Sequence, residues 1–216
     1  MPSPVIKRSA GKIISEGKRK DRERMGREMK RLIVGISGAS GVIYAQRFLQ
    51  QIAQRTKIEV HLVITSYART IIQHEMGKKV DFSGLAFRIY PPDDLAAPIA
   101  SGSFSADGMI IIPCSMKTLA GLASGFAENL LLRAADVALK EKRPLFLVPR
   151  ESPLSAIHLE NLLKLARLGV HIIPACPAFY CLPRSLDDLV DQFVFRIMDV
   201  LGLKSPLKRW RERSPD

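Results

Sequence analysis

The sequence lacks the features that define three common classes of protein. No apolar run reaches the roughly 18 residues that a helix needs to cross a bilayer, and no stretch near the start has the form of a secretion signal. The three cysteines, Cys114, Cys176 and Cys181, are odd in number and have no C-x-x-C spacing, which argues against a disulfide framework or a zinc site. The four histidines include no H-E-x-x-H pair. We therefore expect a cytoplasmic protein that holds no metal.

Positive charge is abundant, but most of it lies at the two ends of the chain. Of the net charge of +12, residues 1–30 carry +6 and residues 204–216 carry +3. The sequence between them has no basic stripe with interleaved aromatic residues, so nucleic-acid binding is not expected. We expect a basic, disordered extension over residues 1–29, one domain over residues 30–203 and a basic tail over residues 204–216. Met29, just before the first predicted strand, is an alternative start of translation.

The stretch from Lys30 to Tyr44 has the pattern of a strand, a glycine turn and a helix. Its apolar run, Leu32 to Ile36, has the length of a buried parallel strand, and it gives way to Ser37-Gly-Ala-Ser-Gly41 before a helical pattern begins at Val42. A helix N-terminus behind glycines offers unpaired N–H donors to a phosphate. Because the same turn also occurs for geometry alone, both interpretations stay open on this stretch by itself.

Two familiar nucleotide-binding loops do not fit this turn. No Lys follows Gly41, as a P-loop would require. Ile36 stands where a dinucleotide fingerprint needs its first glycine, and the next predicted strand ends in Thr65-Ser66 without the carboxylate that holds a ribose. A mononucleotide such as FMN therefore fits better than NAD.

Strands and helices alternate along the rest of the chain. We predict strands over 32–36, 59–64, 109–112, 145–148 and 170–173, and helices over 42–54, 67–75, 128–142, 153–168 and 186–201. Residues 77–108 are rich in proline and small residues and show no regular pattern. This order predicts an α/β fold with a doubly wound parallel sheet, Rossmann-like or flavodoxin-like, in a single domain.

Polar and charged residues follow several of the predicted strands. The segment Pro113 to Thr118 supplies two hydroxyls and several free N–H groups, and the pair Arg150-Glu151 follows the fourth strand. Open α/β sheets bind ligands beyond the carboxyl ends of their strands. The pair is thus the best acid–base candidate, with a structural ion pair as the alternative.

A charged stripe lies on the predicted helix 128–142. Arg133, Asp136 and Lys140 are spaced so that they share one face of that helix. On its own, such a stripe is most often a ladder of solvated salt bridges. That is the alternative to a binding role.

Six motifs, taken together, resemble one family. They are Gly35-Ile-Ser-Gly-Ala-Ser-Gly41, Ala100-Ser-Gly-Ser103, Pro113-Cys-Ser115, Arg133-Ala-Ala-Asp-Val-Ala-Leu-Lys140, Pro144-Leu-Phe-Leu-Val-Pro-Arg-Glu151 and Pro177-Ala-Phe-Tyr180. This combination is similar to the UbiX-type flavin prenyltransferases, and the resemblance covers about residues 30–203. It implies transfer of a dimethylallyl group from dimethylallyl monophosphate to N5 and C6 of reduced FMN, with release of phosphate and without a metal. It also implies that the prenylated FMN serves a UbiD-type decarboxylase, usually in ubiquinone synthesis, and that the chain forms a homo-oligomer, a dodecamer with sites shared between subunits.

The resemblance also implies roles for single residues. The FMN site would comprise Gly38, Ala39, Ser40, Ser66, Ser115, Met116, Lys117, Thr118 and Arg150. The phosphate of the dimethylallyl substrate would be bound by Lys140, Arg150, Tyr180 and Arg196. The catalytic residues would be Ser40, Glu75, Lys140 and Glu151, of which Ser40 and Glu151 would relay protons.

One departure and two alternatives qualify this resemblance. Leu95 stands near the place where some members of the family have a Trp whose face could stabilise an allylic cation. One alternative is an FMN-dependent decarboxylase of peptidyl or phosphopantothenoyl cysteine, but that family carries P-x-M-N-x-x-M where this chain has Pro113-Cys-Ser-Met-Lys-Thr118. The other is a non-catalytic FMN carrier, which would not need so many ligands for a second anion.

Overall fold

Six parallel strands form the centre of the described part of the chain. The computed structural model describes residues 29–77, 80–207 and 209–210. Its strands are β1 (Arg31–Ile36), β2 (Glu59–Ile64), β3 (Arg88–Tyr90), β4 (Gly108–Cys114), β5 (Leu145–Pro149) and β6 (His171–Ile172). They lie in the order β3-β2-β1-β4-β5-β6, and each neighbouring pair is parallel. The predicted parallel sheet is confirmed.

Helices cover both faces of this sheet. Those that the structure describes are α1 (Val42–Arg55), α2 (Ser66–Met76), α3 (Met116–Ser124), α4 (Leu130–Lys140), α5 (Ala156–Arg167) and α6 (Leu186–Val200). Phe48 of α1 and Phe193 of α6 share a buried cluster with Val34, whereas Leu131 of α4 and Leu119 of α3 share another with Ile33. Because side chains alternate along a strand, β1 must be apolar at successive positions to meet both layers.

One helix approaches the sheet especially closely. A Cβ atom on Gly35 of β1 would lie 2.9 Å from Cδ1 of Leu131. That distance is too short for two carbon atoms in contact, so a Cβ here would require the Leu131 side chain to move. The glycine therefore leaves room for the Leu131 side chain of α4 to lie directly against β1.

The direction in which the chain winds reverses between β1 and β4. The segment from β1 to β3 builds the sheet outward on one side, and the segment from β4 to β6 builds it outward on the other. In open α/β sheets, ligands bind beyond the carboxyl ends of the strands at such a reversal. The ends of β1 and β4 are therefore the first place to look for a site.

One strand and one α-helix were not predicted from the sequence. β3 lies within the segment 77–108, where the sequence shows no regular pattern; it is too short to give one and is held by pairing with β2, as in Leu62 with Ile89. The expectation of five strands was therefore wrong. α3 begins inside the predicted turn 113–118, where the side chain of Ser115 caps it by accepting the N–H of Thr118, and it ends at Gly125, which has φ of +74°.

The two ends of the chain are described only in part. The predicted basic extension, residues 1–29, lies outside the described residues apart from Met29, as do residues 208 and 211–216 of the predicted tail. Ser205 donates a hydrogen bond to the carbonyl of Phe195 (3.1 Å), so the segment after α6 folds back on that helix. None of the helices in the described residues is long and apolar enough to cross a membrane.

Candidate active site

Ser37 ties together the strand ends where the winding reverses. It follows β1 and is fully buried. Its hydroxyl donates to the carbonyl of Pro113 (2.9 Å) and accepts the N–H of Ser115 (2.8 Å), both at the end of β4. The sequence signal for this role was a serine directly after a buried strand. These two hydrogen bonds fix the positions of the loops after β1 and β4, which would meet a ligand.

Cys114, in the same segment, is not available as a nucleophile. Its side chain is fully buried at the end of β4. Burial raises the pKa of the Cys114 thiol to about 12, so the thiol stays protonated near neutral pH. Its contribution is therefore to packing.

The glycine loop after β1 is shaped by its contact with α2. A Cβ atom on Gly38 would lie 2.8 Å from Cβ of Tyr67, so a larger residue would push the loop and helix apart. Gly41 has φ of +96°, a conformation that favours glycine, and it sits at the start of α1. These two positions explain why the loop requires glycine.

Glu75 caps α1 across a large sequence distance. Its carboxylate, at the end of α2, accepts the N–H of Gly41 (3.0 and 3.2 Å to its two oxygens) and the N–H of Val42 (3.1 Å). Negative charge is favourable at a helix N-terminus. The N–H groups that the sequence offered to a phosphate are thus paired with a carboxylate of the chain itself.

The other predicted flavin residues lie on three neighbouring strand ends. Thr65 caps α2 and Ser115 caps α3, and each accepts a backbone N–H three residues further on. The hydroxyl of Ser115 also donates to that of Thr118 (3.1 Å). The structure therefore gathers Gly38, Ala39, Ser40, Ser66, Ser115, Met116, Lys117 and Thr118 at the carboxyl ends of β1, β2 and β4, which are neighbours in the sheet.

Lys117 is held on the rim of this group. Its ammonium lies 2.6 Å from a carboxylate oxygen of Glu128 and 5.9 Å from the centre of the Tyr67 ring. More than half of its side chain is exposed. Lys117 is therefore a predicted flavin residue whose charge is already paired within the chain.

Arg150 and Glu151 extend the same edge beyond β5. The N–H of Arg150 donates to the carbonyl of Cys114 (3.3 Å), and the carboxylate of Glu151 accepts the N–H of Ser152 (2.9 Å). Both side chains are exposed, and the described residues show no ion pair between them. The structural ion pair considered from the sequence does not form here.

Tyr44, in the first turn of α1, was not predicted as a site residue. Its ring packs edge-on against Phe193 (4.9 Å between centres) and lies over Gly41. Burial raises the pKa of the Tyr44 phenol, and the positive charge of Arg150 opposes that effect. The phenol is therefore a neutral hydrogen-bonding group near Arg150.

Lys140 lies at the opposite edge of the sheet. It ends α4, and five residues later the chain enters β5 from its amino end, where the N–H of Met109 donates to the carbonyl of Pro144 (2.9 Å). Arg150 follows the other end of β5, and at about 3.3 Å per residue the backbone of this five-residue strand is roughly 16 Å long. Within one chain, Lys140 and the pair Arg150-Glu151 therefore lie at opposite ends of β5.

The charged stripe on α4 serves partly as a structural contact. Arg133 pairs with Asp136 (3.2 Å) and donates to the carbonyl of Ala100 (3.3 Å). Arg143, just beyond the helix, donates to the carbonyl of Gly102 (2.6 Å). The small-residue run 100–103 is thus fastened to α4, and Lys140 lies beside Glu141 (3.9 Å) at the end of this contact.

Tyr180 and Arg196 belong to a second cluster formed with the C-terminal segment. Arg196 pairs with Asp199 (2.8 Å), which also pairs with Arg209. Trp210 packs edge-on against the ring of Tyr180 (5.6 Å between centres). The structure thus links these two predicted phosphate ligands through residues that the sequence analysis did not assign.

The carboxyl edge fits a phosphate-bearing flavin. Gly38 lets the loop after β1 pack closely on α2, the first N–H groups of α2 and α3 are free of intrahelical partners, and Arg150 adds positive charge. Within the described residues, no three His, Cys, Asp or Glu side chains group so as to hold a metal.

Comparisons with known proteins bear on this site. Residues 20–198 match the Flavoprotein family. The chain is 52% identical over 182 residues to a probable UbiX-like flavin prenyltransferase of Streptomyces sp. strain D7, covering 83% of this chain and 91% of that protein.

Two solved structures are similar to this chain in both fold and sequence, and a third is similar in fold. A dodecameric FMN-dependent UbiX-like decarboxylase from Escherichia coli O157:H7 has a TM-score of 0.82 and 49% identity, covering 84% of this chain and all of that one. AnUbiX, in complex with FMN and dimethylallyl pyrophosphate, has a TM-score of 0.81 and 42% identity, covering 87% of this chain and all of that one. The cysteine decarboxylase SpaF, at 20% identity and a TM-score of 0.54, shares the fold alone.

Proposed function

The chain belongs to the UbiX-type flavin prenyltransferases, and we propose that it uses the carboxyl edge of its sheet to join a dimethylallyl group to reduced FMN. The C–O bond of dimethylallyl monophosphate breaks, carbon bonds form to N5 and C6 of the flavin, and phosphate leaves. The observation that carries this proposal is the gathering of eight predicted flavin residues on three neighbouring strand ends, with Arg150 and Glu151 on the next strand.

Each part of the carboxyl edge has a proposed task in holding the flavin. When bound, reduced FMN supplies the two ring atoms that receive the prenyl group. Gly38, Ala39 and Ser40 form the surface against which it lies, and the capped N-termini of α2 and α3 offer N–H donors to its phosphate. Ser37 keeps these loops in register through its two hydrogen bonds.

Positively charged side chains placed around the leaving phosphate are the proposed source of much of the rate. Lys140, Arg150 and Arg196 each carry one such charge, and Tyr180 adds a neutral donor. A pair of unit charges at 4 Å is worth about 4 kcal/mol at an effective dielectric of 20. Donors aimed at a group that gains negative charge lower the barrier to its departure.

Because Lys140 lies at the far edge of the sheet, we assign its contribution to a neighbouring subunit. This requires a homo-oligomer, and the dodecamer formed by the Escherichia coli relative is the form we propose. α5 offers a surface for subunit contact. Ile157, Leu159 and Leu163 are each at least half exposed, and Leu165 is the one residue of this helix that is buried.

Proton movements are assigned to Glu151 and Ser40. Glu151 is exposed beside Arg150, where it can exchange a proton with a ligand or with water. Ser40 lies in the loop between Glu75 and the flavin surface. Glu75 acts on this loop by holding the N–H groups of Gly41 and Val42, which fixes the position of Ser40.

The product has a defined use. Prenylated FMN is the cofactor of UbiD-type decarboxylases, so we propose that the product passes to such an enzyme. The charge distribution, the cysteine content and the flavin chemistry all favour a cytoplasmic location.

The test is a direct search for the product. The full-length protein is incubated without oxygen with reduced FMN and dimethylallyl monophosphate, and the flavin mass is measured. A gain of one C5H8 unit with release of phosphate is the expected result. Recovery of unchanged FMN, under conditions in which an established flavin prenyltransferase forms product, would contradict the proposal.

A further inference from the structure

Tyr67 is an exposed aromatic residue in the middle of the predicted flavin residues. It lies in the first turn of α2, directly after Ser66, and 73% of it is exposed. Within the described residues its hydroxyl has no hydrogen-bond partner, and its recorded contacts are with the glycine loop and Lys117. The side chain is not packed in a hydrophobic core, so core packing does not explain why an aromatic residue stands at this position.

The position of Tyr67 is fixed by two neighbours. Its Cβ atom lies against Gly38, where a Cβ would come within 2.8 Å. Its ring centre lies 5.9 Å from the ammonium of Lys117, and that ammonium is held by Glu128 at 2.6 Å. The ring therefore reaches from the loop after β1 toward the start of α3.

This contact spans the crevice at the carboxyl edge. α2 packs with the helices on one face of the sheet, and α3 packs on the other. Tyr67 and Lys117 meet between these layers, above the end of β1. They form a wall, Tyr67 with Lys117 and Glu128, beside the loop on which the flavin would lie.

We infer that the Tyr67 ring forms an aromatic side of the flavin site and packs against the isoalloxazine ring. The inference rests on the proposed function, because it takes flavin as the ligand. A neutral aromatic ring suits a planar apolar ring system, for which offset stacking is favourable, better than it suits a phosphate. Leu95, half exposed where some relatives carry Trp, offers no ring for this purpose.

The test compares two variants of Tyr67 with a matched control. FMN is titrated with each full-length protein, and binding is followed by flavin fluorescence. Tyr67→Ala removes the ring, Tyr67→Phe keeps it without the hydroxyl, and Phe87→Ala removes an equally exposed aromatic residue, 68% exposed, from the amino end of β3.

We expect Tyr67→Ala to raise the Kd for FMN by about five- to tenfold, as loss of an aromatic stacking partner does, while Tyr67→Phe and Phe87→Ala stay close to the unaltered protein. The Tm of Tyr67→Ala should stay within the range of the control, because the side chain is exposed. Any of three results would overturn the inference. The Kd for FMN could be unchanged in Tyr67→Ala, the affinity for FMN could fall equally in Tyr67→Phe, or the Tm of Tyr67→Ala could lie well below that of Phe87→Ala.

Product formation separates this inference from the proposed function. With FMN at saturating concentration, Tyr67→Ala should still add one C5H8 unit to the flavin. If the unaltered protein binds FMN but forms no product, the proposed function fails while the Kd comparison still decides the role of Tyr67. If Tyr67→Ala binds FMN normally but forms product slowly, the ring acts on the prenyl group and the inference is wrong.

Discussion

The two edges of the sheet use their polar groups differently. At the amino edge, Asp107 accepts the N–H groups of Lys30 and Arg31 (2.8 and 2.9 Å), and Arg31 also pairs with Glu59 (2.6 Å). At the carboxyl edge, Arg150 and Glu151 are exposed and not paired with each other.

Stability and chemistry therefore depend on different edges of this sheet. Polar groups that hydrogen-bond to one another hold the strands in register. Helix N-termini and unpaired charges, in contrast, remain available to bind a ligand. We therefore expect substitutions of Arg150 and Glu151, at the carboxyl edge, to change activity with little effect on stability. Substitutions at the amino edge should do the reverse, with Lys140 as the exception.

The largest effect should come from Glu151→Gln. The amide keeps the shape of the side chain but cannot take up a proton, and loss of a general acid or base costs about 10²- to 10⁴-fold in rate. FMN binding and Tm should stay close to those of the unaltered protein. Single-turnover measurement of product together with an FMN titration tests this, and normal turnover would remove Glu151 from the mechanism.

Lys140→Ala should have the next largest effect, although the residue lies at the amino edge. Loss of one charged hydrogen bond to phosphate costs about 1.5–3 kcal/mol, which raises the KM for dimethylallyl monophosphate by about 10- to 100-fold. The Kd for FMN should not change. Lys142→Ala, two residues away and also exposed, is the matched control. An equal rise in KM in both variants would show a general effect of charge.

Asp107→Ala should affect stability more than activity. It removes the acceptor for two backbone N–H groups at the start of β1, at a cost of about 1–2 kcal/mol in the free energy of unfolding. Asp107→Asn keeps a hydrogen-bond acceptor, so its free energy of unfolding should fall less. Urea denaturation measures both variants. A large fall in turnover with unchanged stability would contradict the proposed division between the edges.

The smallest effect concerns pH and His61. This residue of β2 is buried, with Nδ1 2.8 Å from the hydroxyl of Tyr90 and no partner for Nε2 in the described residues. Burial lowers the pKa of His61 in the folded protein, whereas the unfolded chain takes up the proton near pH 6.5. The unfolded state then binds more protons, so stability should fall as the pH drops below about 6.5.

Urea midpoints at pH 7.5 and pH 5.5 check this prediction. The midpoint should fall more in the unaltered protein than in His61→Phe, which has no proton to bind. Equal falls in the two proteins would assign the pH dependence to other groups.

Much of the fold could be predicted because its buried strands appear in the sequence as short runs of consecutive apolar residues. Leu32 to Ile36 is apolar at successive positions since both of its faces are covered, and the helix that begins at Val42 was placed correctly at its start. β3 was missed because its three residues are held by pairing with β2 and carry no pattern of their own. α3 was missed because its first residues are the polar groups of a predicted turn.

The sequence predicted which polar side chains follow the strand ends, but it did not predict how they contact one another. Ser115 and Thr118 stood out as hydroxyls at a strand end, and the structure places them together. Sequence spacing did not predict that Glu75 reaches the start of α1, since that contact depends on how two helices pack. Lys140 and Arg150 lie at opposite ends of β5 because of the directions in which α4 and β5 run, and sequence motifs do not show those directions.

Mixed oligomers test most directly the claim that Lys140 and Glu151 act in one site from two subunits. Lys140→Ala and Glu151→Gln chains are produced together with different affinity tags, and oligomers that carry both tags are isolated. Each single variant should be poorly active. In mixed oligomers some sites combine an intact Glu151 from one chain with an intact Lys140 from another, so prenyl transfer should return. Mixed oligomers no more active than the two parents would contradict the claim.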